Sequence, residues 1–134
     1  MIELKLVLDS NEYIFYLANK TNGVLRLLDS QDAKIFLNDL IFDEVIRNIT
    51  KEATKYFISL LKNPKFEVIA HQIPKSLTEK YKNLGLKKAD RVIAAFCEAV
   101  EADYLITENR HYLNGKKFDK FKVLSLKEFL GKLT

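Results

Sequence analysis

Acidic residues recur at four widely separated points of this chain, each beside an apolar run. Asp9 follows Leu-Lys-Leu-Val-Leu, and Asp43 and Glu44 follow Ala-Lys-Ile-Phe-Leu-Asn by a few residues. Asp90 precedes an alanine-rich stretch, and Glu108 sits between Thr107 and Asn109 after Tyr-Leu-Ile. Taken singly, each has an ordinary structural reading. Asp9 could end a strand or close an Asx-turn. Asp43, Glu44 and Asp90 could each cap a helix or complement its dipole. Taken together they suggest chemistry. Carboxylates packed at one place repel each other, and must either take up protons or share a cation. Oxygen-only ligands with water suit Mg2+ or Mn2+. A hard cation held in this way lowers the pKa of bound water and stabilises phosphoryl charge, so phosphodiester hydrolysis is the reaction such a set would serve.

Whether these residues meet depends on the elements that carry them. Leu4 to Leu8 read as a strand ending at Asp9, and "YIFYLANKTNGVLRLLDSQ" as two short helices interrupted at Asn22-Gly23. "AKIFLN" is a second strand. From Phe42, apolar residues at 45, 46, 49, 53, 57 and 60 predict one long amphipathic helix, ended by Asn63-Pro64. "FEVIA" is a third strand, residues 75–84 a Lys-rich helix, and Val92, Ile93, Phe96, Cys97 and Val100 the apolar face of another helix. "DYLIT" and "FKVLS" are the last strands, and "LKEFLGKL" the closing helix.

Strands alternating with helices predict an α/β fold with a parallel sheet covered on both faces. Right-handed crossovers then gather strand C-termini and helix N-termini at one edge, where open α/β sheets bind ligands. Asp9, the pair Asp43 and Glu44, Asp90, and the trio Thr107, Glu108 and Asn109 all fall there. Asp90 precedes Ile93, Ala94 and Cys97 by three, four and seven residues, so it extends the buried face of its helix. Glu44 lies away from the apolar centre of its helix, and periodicity does not choose between it and Asp43.

The totals narrow the classes. The 134 residues, 48% of them apolar, are expected to form one domain over 1–134 with a substantial core. Four glycines and two prolines are few for an all-β protein built on tight turns. The single cysteine, Cys97, excludes an intramolecular disulfide, and two scattered histidines give no zinc-finger spacing. No run approaches a membrane span, and acidic residues stand where a signal peptide needs basic ones, so a cytoplasmic protein is expected. A net charge of +4 suits a polyanionic partner without requiring one. No Gly-rich phosphate loop is present. A phosphoacceptor receiver domain would need an acidic pair after the first strand and an Asp after the third. Ser10-Asn11 and Ala70-His71-Gln72 stand there instead.

The ordered set "LVLDSN", "IFDEVIRNI" and "KKADRVIAAFCEAVEADYLITENRHYL" resembles the PIN domain family of ribonucleases, which includes many toxins of toxin–antitoxin pairs. The resemblance covers essentially the whole chain, and its last segment is the most specific. It implies a three-layer α/β/α sandwich and metal-dependent endonuclease activity on single-stranded RNA, leaving 5′-phosphate and 3′-hydroxyl ends. Carried over by position, Asp9, Glu44 and Asp90 match the family's acids, which selects Glu44 over Asp43. Ser10 matches the hydroxyl residue that orients Asp9, and Thr107 the hydroxyl residue ending the fourth strand. Where a fourth acid is commonest, this chain has Asn109, which adds no charge. One Mg2+ (or Mn2+) is therefore expected, mainly on Asp9 and Asp90, with Glu44 and Asn109 acting through water. Glu108 should point away from the site if the strand continues.

Arg110, His111 and Lys88 are the candidates for RNA phosphate contact. The wider group of Lys75, Lys80, Lys82, Lys87 and Lys88 reads equally as a solvated helix face. The resemblance also implies a homodimer and a neutralising antitoxin, for which Tyr13, Phe15 and Tyr16 are either an interface or core. The alternative to an enzyme is a PIN-fold RNA- or protein-binding module with weak catalysis, motivated by Asn109. Failure to bind millimolar Mn2+ would favour it.

Overall fold

Five short apolar segments pair into one parallel sheet in the computed structural model, which describes residues 3–19, 23–29, 33–70, 73–109 and 118–132. The strands are β1 (Leu4–Leu8), β2 (Ala33–Asn38), β3 (Phe66–Ile69), β4 (Tyr104–Ile106) and β5 (Lys122–Leu124), in the order β3-β2-β1-β4-β5. All neighbours run parallel, with Val7 opposite both Phe36 and Leu105. The central position of β1 explains its sequence. Leu6, Val7 and Leu8 are fully buried, as a strand covered on both faces requires. Polar residues survive on the outer strands, where Glu67 of β3 pairs with Lys34 of β2 at 3.1 Å.

The strand order reverses beside β1. The chain builds outward to β3, then crosses back to lay β4 on the other flank of β1. The C-terminal ends of β1 and β4 therefore border the crevice where doubly wound sheets hold ligands. Helices α1 (Ser10–Leu17), α2 (Gly23–Leu28), α3 (Asp39–Arg47) and α4 (Lys51–Leu60) lie in the connections from β1 to β3. Helices α5 (Lys75–Asn83) and α6 (Lys88–Ala99) carry the return to β4, and α7 (Leu126–Lys132) follows β5. α1 packs against α2, α3 and α4, α5 packs against α6, and α7 meets α2. Right-handed crossovers put the first group and the α5–α6 pair on opposite faces, giving a three-layer α/β/α fold.

The long helix expected from Phe42 is two helices. α3 ends at Arg47, where the Asn48 side chain donates to the Glu44 carbonyl at 2.7 Å. Thr50 then caps α4, accepting from the Ala53 amide at 3.0 Å. The apolar period carries across the break because Val45 and Phe57 enter the same core. The start also differs. Asn38 caps α3, accepting from the Ile41 amide at 2.9 Å, so Asp43 and Glu44 lie in its second turn and do not open the helix.

Aromatic residues fill much of the core. Tyr13 meets Phe57 edge-on at 5.5 Å and lies 6.4 Å from Phe66. Of the early aromatics, Tyr13 is core, Tyr16 packs against it, and Phe15 is exposed. Among the described residues, no helix is long and apolar enough to cross a membrane.

Candidate active site at the ends of β1 and β4

Asp9 is locked where the sheet ends. Its backbone amide donates to the Ile106 carbonyl at 2.9 Å, holding the residue in register with β4. Its side chain then caps α1, with Oδ1 accepting from the Ser10 amide at 2.8 Å. Oδ2 accepts from the Thr107 hydroxyl at 2.8 Å. Thr107 is fully buried, and its oxygen in turn accepts from the Asn109 amide at 2.9 Å. A single hydroxyl thus links the end of β1 to the turn after β4. The Thr107 amide donates to the Leu124 carbonyl at 3.0 Å, which also ties that turn to β5.

Ser10 holds two acids at once, though not as expected. A serine hydroxyl has one proton to give. Ser10 Oγ stands 2.8 Å from Glu44 Oε2 and 3.5 Å from Asp9 Oδ1, so that proton belongs to Glu44. Ser10 orients Asp9 through its backbone amide instead. Glu44, on α3, is thereby drawn toward Asp9, whereas Asp43 is exposed.

Electrostatics show which acids are close. Burial raises the Asp9 carboxyl above its ordinary range, hydrogen bonds from Thr107 and Ser10 pull it back, and the charges of Glu44 and Asp90 push it up again. Asp90 lies half-buried in the first turn of α6. Glu44 of α3 and Asp90 of α6 therefore act on Asp9, despite their separation in sequence. Among the described residues, no three His, Cys, Asp or Glu side chains are grouped closely enough to hold a metal ion as they stand. The donor chemistry nevertheless fits a hard cation. Every group is an oxygen, each Asp9 oxygen keeps a further lone pair, and a positive charge would relieve the repulsion raising Asp9.

Residues 6–117 match the sequence profile of the PIN domain. The chain belongs to the PIN domain family. PIN domains are generally nucleases. Solved structures with this PIN fold include VapBC2 of Rickettsia felis, bound to a DNA fragment from their promoter (TM-score 0.67, 16% identity, 91% of this chain and 98% of that one). DNA-bound VapBC of Salmonella typhimurium is also similar (TM-score 0.64, 18% identity, 92% and 98%). So is the PIN domain of T. brucei RRP44 (TM-score 0.61, 12% identity, 97% and 80%). At these identities the likeness is one of fold. No curated protein sequence matches.

Within this PIN domain, Asn109 is half-buried one turn beyond β4, held through Thr107. Lys88 is exposed two residues before Asp90. Lys80 leaves the basic group, because its ammonium pairs with Glu98 at 2.7 Å and Asp119 at 3.1 Å. Arg110 and His111 lie outside the described residues.

Glu12 was not among the sequence candidates. It is 3% exposed, and its Oε1 has no hydrogen-bond partner. Burial, then the charge of Glu108 and a hydrogen bond to it, then the charge of Asp9, push Glu12 up to about 8. Glu12 is the buried partner, so it carries the proton and donates to Glu108. Glu in the first turn of a helix reads as a dipole complement, and no local pattern marks it as buried.

Proposed function

We propose that this protein is a metal-dependent endoribonuclease that hydrolyses phosphodiester bonds of single-stranded or structured RNA. The observation that carries this reading is the convergence of Asp9 and Glu44 on the Ser10 hydroxyl at the end of β1, with Asp90 near enough to add like charge. Family membership supports the same chemistry. Asp9 and Asp90 would hold Mg2+ or Mn2+, with Glu44 and Asn109 completing the polar lining. A cation bound there supplies charge stabilisation to the phosphoryl group and a lowered pKa to water. The chain's own residues prepare for it. The Thr107 hydroxyl and the Ser10 amide donate to the Asp9 carboxylate and favour its ionised form. Lys88, Arg110 and His111 would meet RNA phosphates.

The test is cleavage of RNA in EDTA and after adding Mg2+ or Mn2+. Cleavage is expected only with the cation. Cleavage that persists in EDTA would overturn the metal-dependent reading. Thr107→Val keeps the shape and removes the hydroxyl. We expect it to cost about 1–2 kcal/mol in urea unfolding and to lower cleavage roughly 10–100-fold, the scale of lost outer-shell support. Undiminished cleavage would show that the hydroxyl positions nothing.

The resemblance of fold to VapBC proteins supports a second layer to this proposal: action in the cytoplasm as the toxin of a toxin–antitoxin pair, as a homodimer neutralised by an antitoxin. Phe15, on α1, is the early aromatic that remains exposed for such a contact.

A further inference from the structure

We infer that Glu108 is a positioning residue: its carboxylate ties the turn after β4 to the start of α7 and to Glu12 of α1, and so fixes where Asn109 stands. The inference rests on the nuclease reading for its consequence, but not for its geometry.

Two contacts of Glu108 carry it. Glu108 Oε1 accepts from the Leu126 amide at 3.1 Å, meeting the first backbone donor of α7. The start of α7 is already organised by a reciprocal box. Glu128 accepts from the Ser125 amide, and Ser125 Oγ accepts from the Glu128 amide, each at 3.1 Å. Glu108 therefore grips a fixed point. On its other side it is hydrogen-bonded to the buried side chain of Glu12. The Glu12 amide donates to the Asp9 carbonyl at 3.0 Å, so this side leads straight back to the residue that ends β1.

Glu108 lies between two site residues in sequence. Thr107 is held by Asp9 and Leu124, and Asn109 by the Thr107 hydroxyl. These bonds fix the entry to the turn. The Glu108 carboxylate fixes its far side, through the start of α7 and the Glu12 side chain of α1. Glutamate suits the task because it accepts from an amide and a carboxyl together, while its exposed flank stays hydrated.

The test compares the full-length wild type with Glu108→Ala and Glu108→Gln. Glutamine keeps an oxygen for the Leu126 amide, so it should rescue. Amide hydrogen exchange reads the geometry without reference to activity. In Glu108→Ala, the Asn109 and Leu126 amides are expected to exchange at least roughly tenfold faster, with Leu6, Val7 and Leu8 unchanged. The Mn2+ concentration at half-saturation, read by calorimetry, should rise roughly 10-fold or more. Glu108→Gln should stay within about threefold of wild type in both measures. Unchanged Asn109 exchange in Glu108→Ala overturns the tether. Equal Mn2+ loss in Ala and Gln also overturns it, since charge and not the tether would then act. A wild type that neither binds Mn2+ nor cleaves RNA, yet shows the alanine-dependent exchange, refutes the nuclease reading and leaves the tether standing.

Discussion

Asp9→Asn is expected to lower RNA cleavage by on the order of a thousandfold or more while the protein stays folded, with a Tm equal to or above that of the wild type. The two effects have one cause. Asp9 is 6% exposed, and burial together with Glu44 and Asp90 disfavours its charge. Asparagine removes that charge. Its oxygen can still accept from the Ser10 amide, and its NH2 group can donate to Thr107 Oγ1, which retains a lone pair after accepting from Asn109. The fold exchanges the bond donated by Thr107 for one donated to it, which leaves the Thr107 proton without its old acceptor, and loses a repulsion. The site loses the carboxylate best placed to hold a cation. A second measurement separates the parts. Mn2+ should raise wild-type stability, by about 2.7 kcal/mol at a hundredfold excess over Kd. It should leave Asp9→Asn unmoved. A mutant that cleaves RNA at the wild-type rate would remove Asp9 from the chemistry.

The strands could be read from sequence because buried parallel strands are near-continuous apolar runs. β2 appears over the residues expected, and β3, β4 and β5 are trimmed only at their ends. The break between α3 and α4 could not be read from periodicity. Val45, Ile46, Ile49 and Phe57 keep one stripe across it, and only the capping chemistry of Asn48 and Thr50 marks it. The meeting of Asp9 with Thr107 followed from parallel topology, since both end strands that prove adjacent. The destination of Ser10's proton did not follow, because it depends on how far α3 is turned, and Asn38 sets that turn as its cap. Glu108 was expected to point away from the site, but nothing local shows what waits there. The start of α7 and a buried carboxyl from α1 are tertiary facts.

The buried carboxyl gives the other large expectation. Wild-type stability in EDTA should fall as pH rises from about 4.5 to about 8, and Glu12→Gln should remove much of that slope. The sign follows from proton counts. Glu12 ordinarily titrates near 4.5 and is pushed up to about 8 in the folded chain. Between those values the unfolded chain has released the proton and the folded chain has kept it, so the folded state binds more protons and loses ground as pH rises. Below 4.5 both states hold the proton, and above about 8 both have lost it, so the loss stops growing. At pH 7 the penalty is at most roughly 3 kcal/mol. Glutamine carries no such proton, and its NH2 group can still donate to Glu108. Its oxygen would inherit the unpartnered position of Glu12 Oε1, so that cost is common to both proteins. The raised carboxyl of Asp9 adds a slope of the same sign, but it is present in both and cancels in the difference. Urea unfolding at pH 5, 7 and 8 should therefore show the two proteins close at pH 5, and Glu12→Gln more stable by about 1–3 kcal/mol at the higher values. Parallel curves across that range would mean that Glu12 is already ionised in the folded chain, and that Glu108 holds it by something other than a shared proton.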